Sequence, residues 1–286
     1  MSGLAISRST PAPGGLARRS RRFPVAEVVS AVIVAFLLAA AIFPGLLATA
    51  DPTQIAPADA FQPPSTAHWF GTDESGRDVY SRVVFGTATS LLIGLAATAI
   101  GLVAGAALAT IAAVGGRFVD FTVGRVLEVL FAFPGLLLAL LVIVIAGPGP
   151  VTATIAVGVS TAPGYARLIR GQLLTVRSAE YVEAARVLGH GPWRILTRHV
   201  LPNAVAPLFV LATLGIGQAV VWASALSYLG LGAQPPAPEW GAMLAAARTY
   251  LATAWWMTFF PGAMTVLTTL ATTVLGRGMQ RRTRES

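Results

Sequence analysis

Six long apolar runs separated by short polar stretches set the pattern of this chain. A helix crosses the ~30 Å hydrocarbon layer of a bilayer with about 20 mostly apolar residues. Five runs meet that length clearly, at about 28–49, 84–113, 121–146, 203–230 and 254–276. A sixth, at about 149–167, is weaker, because Gly158, Pro163 and Gly164 interrupt it. Between their ends the runs hold almost no ionisable side chain. Glu27 sits at one edge, and Arg125 and Glu128, one turn apart, are placed to pair with each other. The pattern predicts an all-α polytopic membrane protein with six transmembrane helices over residues 25–279. Residues 1–24, rich in Ser, Pro, Gly and Arg, read as a disordered tail. Residues 280–286 read as a second, short tail.

Composition agrees with a bilayer location. The chain is 55% hydrophobic and only 11% charged, where a soluble domain carries about 25% charged residues. Its mean hydropathy is +0.71. All 20 basic residues are Arg. A pI near 11.1 raises the question of nucleic acid, but that requires one basic face on a soluble module. Here the arginines fall between apolar runs, so they read as orientation signals and no nucleic-acid partner is expected.

Their placement also decides whether the weak run crosses. With six spans and the N-terminus inside, Arg77, Arg82 and Arg248 lie outside and the other 17 of the 20 lie in the cytoplasm. Without the weak span the later segments flip, leaving 8 inside and 12 outside. The positive-inside bias therefore selects six spans with both termini cytoplasmic. The stretch "RRSRRF", the first run and "ATA" before Asp51 imitate a cleavable signal peptide. A signal core is only about 7–15 residues long, so an uncleaved first span is expected.

Several chemistries drop out. There is no cysteine, hence no disulfide, thiolate nucleophile or Cys-based metal site. The phosphate-cradling GxxxxGK[ST] motif needs a lysine that the chain lacks. No HExxH or GxSxG occurs, and His68, His190 and His199 are far apart in the expected topology, so no metal is expected. Two other classes remain as alternatives. An ion-coupled secondary transporter or channel would need charged or carbonyl-lined coordination within its spans, and an embedded enzyme would need a polar constellation at one depth; no carboxylate or histidine stands at mid-span in the runs. Gly94, Gly101, Gly105 and "GIG" at 215–217 instead predict close helix packing, and Pro134 and Pro163 predict kinks. Asp73, Glu74 and Asp78 around Ser75-Gly76 form a polar turn, with Arg77 arguing against a calcium loop. The prolines of "QPPAPEW" forbid helix before Trp240.

One block breaks the apolar pattern. From Arg167 to Arg198 lie eight of the chain's 32 charged side chains. Ser178 is expected to cap a helix that carries Glu180 in its first turn, where a carboxylate suits the helix dipole. "AEYVEAARVL" then runs to Gly189, suited to a left-handed helix end, and Pro192 fits the first turn of a second helix, "PWRILTRHVL". Tyr181, Ala184, Ala185 and Leu188 form a stripe at helical spacing, flanked by Glu183 and Arg186. Such a helix could rest on lipid headgroups. Its Ala-Ala centre, however, is a poor membrane anchor and a good surface for docking in another protein's groove.

"EAA", then Gly189, then Leu201-Pro202 resembles the EAA signature of ABC importer permeases, although His199 stands where that signature has Ile. "RHVLPN" is similar to the dipeptide/oligopeptide/nickel branch. "WFGTDESGRDVYSRVVFG" (69–86), "FAFPGLLLAL" (131–140), "PGYARLIRGQ" (163–172), "SYLGLGAQPPAPEWGAML" (227–244) and "FPGAMTVLTTLATTVLGRGM" (260–279) resemble it too. The likeness covers about 25–279, and the first element points to the C-type, second permease subunit. The tail "LGRGMQRRTRES" departs from the branch's usual "LGDGLRDALDP".

The resemblance implies a type I permease fold in the bacterial inner membrane, without catalytic residues or a cofactor of its own. ATP and Mg would be used by two ATPase subunits, or by one two-headed ATPase chain. It further implies a B-type permease partner and an extracytoplasmic binding protein delivering di- or oligopeptides, nickel chelates or related solutes. Glu180, Tyr181, Glu183, Ala184, Ala185, Leu188 and Gly189 would contact the ATPase as a coupling helix. Residues 51–83 and 232–253 would face the binding protein, with Asp73, Arg77, Asp78, Glu239 and Trp240 as the residues chosen there.

Overall fold

In the computed structural model, which describes residues 25–195, 197–198 and 201–285, the apolar runs fold as helices. The expected disordered tail and His199 lie outside the described residues. The helices are α1 (Val25–Ile42), α2 (Pro44–Leu47), α3 (Val79–Val114), α4 (Gly116–Ala132), α5 (Gly135–Ala146), α6 (Pro150–Arg177), α7 (Glu180–Val187), α8 (Pro192–Ile195), α9 (Leu201–Tyr228), α10 (Trp240–Ala247) and α11 (Trp256–Glu285). Among the described residues no strand forms.

Helices α1, α3, α11 and most of α9 are each long and apolar enough to cross a bilayer, and α4 with α5 make a fifth candidate. That pair is bent by 94°. The break falls at Phe133, whose extended backbone (φ −90°, ψ 135°) is what a following proline favours. Pro163, by contrast, stays inside an unbroken α6. The weak sixth run is α6. Its hydropathy is low because one face is made of small residues packed in the bundle (Ala153, Ala156, Val157, Ala162 and Ala166 are buried, while Ile155, Val159 and Leu168 are exposed) and because its last turns carry arginines. A helix that faces protein needs small side chains more than greasy ones.

Glycine sets the spacing of the central helices. A Cβ on Gly101 would lie 2.5 Å from Thr161 Oγ1, and one on Gly105 would lie 2.7 Å from Tyr165 Cβ. These two glycines therefore let α3 lie directly on α6. Gly94 meets Val220 of α9 in the same way, and Gly217 of α9 meets Thr272 of α11. Glu27 of α1 is paired with Arg282 of α11, closing the first helix on the last.

The bundle has two unlike ends. At one end a cap of loops covers the starts of α3 and α11 and carries α10. Its core is Val79, Val83, Met243, Ala247, Ala254, Trp256 and Met257. At the other end α7 and α8 form an elbow beneath α6.

Candidate functional site

The elbow is built from a helix end, a short joint and a second helix. The Ser178 hydroxyl donates to the Thr175 carbonyl and so finishes α6. It does not cap α7, which corrects the expectation; the Ala179 carbonyl accepts the first α7 hydrogen bonds, from Val182 and Glu183. Gly189 has φ +78°. The His190 N–H bonds to the Ala185 carbonyl (3.1 Å), completing the left-handed helix end that the glycine permits. A Cβ at Gly189 would meet nothing within 4 Å. Conformation, rather than space, therefore demands glycine here.

The expected stripe divides between two faces. Ala185 is only 4% exposed and joins Val182 and Ile195 in a cluster with Tyr165, Ile169 and Leu173 of α6. It holds the elbow to the bundle, so direct partner contact through Ala185 is ruled out. Glu180, Tyr181, Glu183, Ala184, Leu188 and Gly189 point outward. Beside them Val187 is 84% and Trp193 70% exposed. Neither was singled out in the sequence, although Trp193 falls on the opposite side of its short helix from the buried Ile195. The result is a free apolar surface edged by two carboxylates.

The cap places the five residues chosen there beneath its surface. Asp73, Arg77, Asp78, Glu239 and Trp240 are all buried, which corrects their choice as contact residues. Asp73 accepts from the Ser75 and Arg77 N–H groups, both at 2.9 Å, and from Arg77 Nε at 2.7 Å. Arg77 also reaches Glu74, at 2.7 Å. Arg82 lies 3.4 Å from Asp73 and donates to the carbonyls of Pro52 and Pro236. Asp78 caps α3 through the Ser81 N–H and lies 3.0 Å from His68 Nδ1. Glu239 caps α10 through the Gly241 and Ala242 N–H groups. Trp240 donates from Nε1 to the Val83 carbonyl. Together these bonds fasten loop 49–78 and loop 232–239 to α3. The outward surface comes instead from neighbours such as Ile55, Trp69, Leu251 and Trp255, all exposed.

Within the bundle, α4 is strapped to α6 by Arg170, which gives two 2.7 Å hydrogen bonds to Asp120. A second contact stacks the Arg167 guanidinium 4.0 Å from the Phe131 ring centre. Arg125 and Glu128 pair at 2.7 Å, as their spacing predicts. Asp120→Asn removes the acceptor of both bonds from Arg170 and should speed hydrogen exchange over residues 116–132 at neutral pH.

Between the α4–α5 bend, α6 and α9 lies an open cavity of about 250 Å³. Phe131, Phe133, Ser160, Thr161, Gln218 and Trp222 are among its lining residues.

A model of the family described as binding-protein-dependent transport system inner membrane component matches residues 97–285. The chain belongs to this family. It is therefore a multi-pass inner-membrane permease that works with separate ATPase and substrate-binding components. The dipeptide transport system permease protein DppC of Alkalihalophilus pseudofirmus is 39% identical over 253 residues, spanning 88% of this permease and 83% of the relative. The probable D,D-dipeptide transport system permease protein DdpC of Escherichia coli is 41% identical, spanning 88% and 85%. A glutathione transport system permease protein, GsiD of Pectobacterium atrosepticum, is 42% identical, spanning 76% and 72%. The inward-facing MetNI methionine ABC transporter shares the fold with a TM-score of 0.57 at 21% identity, covering 70% of this permease and 95% of that chain. The DppC, DdpC and GsiD relatives are all named as permease proteins of transport systems.

Proposed function

We propose that this permease is the C-type subunit of an importer for peptides, paired with a B-type permease to enclose the path. The observation that carries this reading is the 39–42% identity, over most of the chain, to permeases named for dipeptide, D,D-dipeptide and glutathione transport. In this reading the chain crosses the membrane six times, with both termini in the cytoplasm. The capped end faces outward and receives an extracytoplasmic peptide-binding protein. The elbow faces inward and docks in two ATPase subunits, or in one two-headed ATPase chain, which use ATP and Mg. Glu180, Tyr181, Glu183, Ala184, Leu188 and Gly189 form the docking face, and Val187 and Trp193 extend it.

ATP binding and hydrolysis in the partners would then move α7. Because only Ser178 and Ala179 separate α7 from α6, that motion reaches the cavity wall along one helix. The test is uptake of defined peptides into vesicles holding the co-purified complex, with and without the binding protein. Failure of ATPase subunits to co-purify would sink the reading.

Orientation is tested separately. The chain has no cysteine, so single thiols report cleanly. Thiols at Ser65 and Ala237 should react with an impermeant reagent from outside, and a thiol at Ser178 should not. The expectation rests on the 17-to-3 arginine asymmetry. External labelling at Ser178 would overturn both the orientation and the elbow's role.

A further inference from the structure

Gln218 poses a physical problem that the cavity resolves. It lies on α9, ten residues before Tyr228, so about 15 Å in from the capped end. That is roughly half the depth of a bilayer's hydrocarbon. Its side chain is exposed, and among the described residues its amide makes no hydrogen bond. A primary amide left facing lipid at that depth has no partner for its donors or its acceptor, and membrane helices avoid this. The amide must therefore meet a polar group supplied from outside the chain. It opens onto the 250 Å³ cavity at the α4–α5 bend.

The rest of the lining narrows what that group is. Ser160 and Thr161 donate their hydroxyl hydrogens back to carbonyls of their own helix, at 2.9–3.1 Å. Their oxygens thus remain as acceptors. Trp222, one turn from Gln218, and Phe131 give flat apolar walls. The Trp222 ring lies directly over Gly135, where a Cβ would come within 2.3 Å of it, so its place depends on that glycine. No carboxylate, arginine or histidine is among the lining residues. The site thus offers a donor and an acceptor on one amide, further acceptors, aromatic walls and no charge. A peptide group presents the complementary pair, N–H and C=O, whatever side chains it carries.

We propose that this cavity is a subsite for one main-chain amide of the cargo, paired to the Gln218 side chain and flanked by Trp222. The proposal rests on the peptide-importer reading and deepens it, since it locates recognition that ignores side-chain identity. Discrimination among peptides then falls to other components, and the permease reads only that the cargo is a peptide.

The test uses the complete importer in liposomes with trialanine as the probe. Gln218→Leu should lower trialanine uptake about tenfold, the loss expected when a buried polar partner goes unpaired. The second permease and the ATPases should still co-purify in the unaltered ratio. Separately, Gln218→Cys supplies the one thiol of this subunit. A bromoacetylated trialanine should alkylate it during ATP turnover, and excess plain trialanine should suppress that reaction. Unchanged uptake by Gln218→Leu, or alkylation indifferent to competing trialanine, overturns the subsite. Loss of the second permease from Gln218→Leu would assign the amide to the subunit interface and overturn it equally. If the unaltered complex carries no trialanine, the peptide-importer reading itself fails and takes this subsite with it.

Discussion

Glu183→Arg should abolish transport while the permease still folds, inserts and pairs with its partner. Glu183 stands in the first turn of α7, exposed and without an ion pair among the described residues. Reversing its charge leaves the Val182–Ala185 contact with α6 untouched, because those side chains point the other way. If α7 docks on an ATPase subunit as proposed, however, the new cation would meet groups arranged for an anion. Such a mismatch costs about 2–5 kcal/mol, or roughly 30- to 5000-fold in affinity. Gly189→Val should reach a similar end by a different route. Its surroundings are open, so the cost is the strain of a β-branched residue at φ +78°, about 1–2 kcal/mol. The elbow then re-aims α8 and Trp193. ATP hydrolysis stimulated by loaded binding protein is the readout. Normal stimulation in the Glu183→Arg complex would show that α7 rests on lipid.

The second large effect lies at the opposite end. Asp73→Leu should unfold the cap, because Arg77 and Arg82 remain buried with their shared carboxylate gone. Removing one partner of a buried ion network costs about 3–5 kcal/mol. Protease cutting within residues 50–78, and loss of binding-protein docking, would report it. Gly76→Ala is an independent probe of the same turn, since its Cβ would fall 1.8 Å from the Ala56 carbonyl oxygen. A cap that resists protease in both variants would mean that loop 49–78 is held by its apolar contacts alone.

Helices and their approximate ends were legible because apolar runs bounded by Pro, Gly and Arg have few other ways to fold in a bilayer. The glycine contacts were legible too: the GxxxG spacing of Gly101 and Gly105 puts both on one face, and that face meets α6. Pro134 announced a kink, but not its size. Its 94° size is not written in the local sequence, and neither is the pairing of Asp120 with Arg170, 50 residues further along, that holds α4 on α6. The polar cap residues misled for a similar reason. Asp73, Arg77 and Asp78 look like surface chemistry until Arg82 and the two loops close over them, and Glu239 meets Ser90 only across 149 residues. In α7 the divide between Ala184 and Ala185 is one helical step. No local pattern says which of two alanines faces α6. Gln218 did carry a signal, as the amide within an otherwise apolar run, though only the cavity gives it a use.

The glycine seams of α3 have a mechanical consequence. Where a backbone rests on a side chain with no intervening Cβ, as at Gly101 and Gly105, neither helix can slide without a clash. Helices α3 and α6 therefore move as one keel, together with the elbow that α6 carries. Free space lies instead beside the Phe133–Pro134 joint, at the edge of the cavity, so that joint is where this keel leaves the rest of the bundle room to turn.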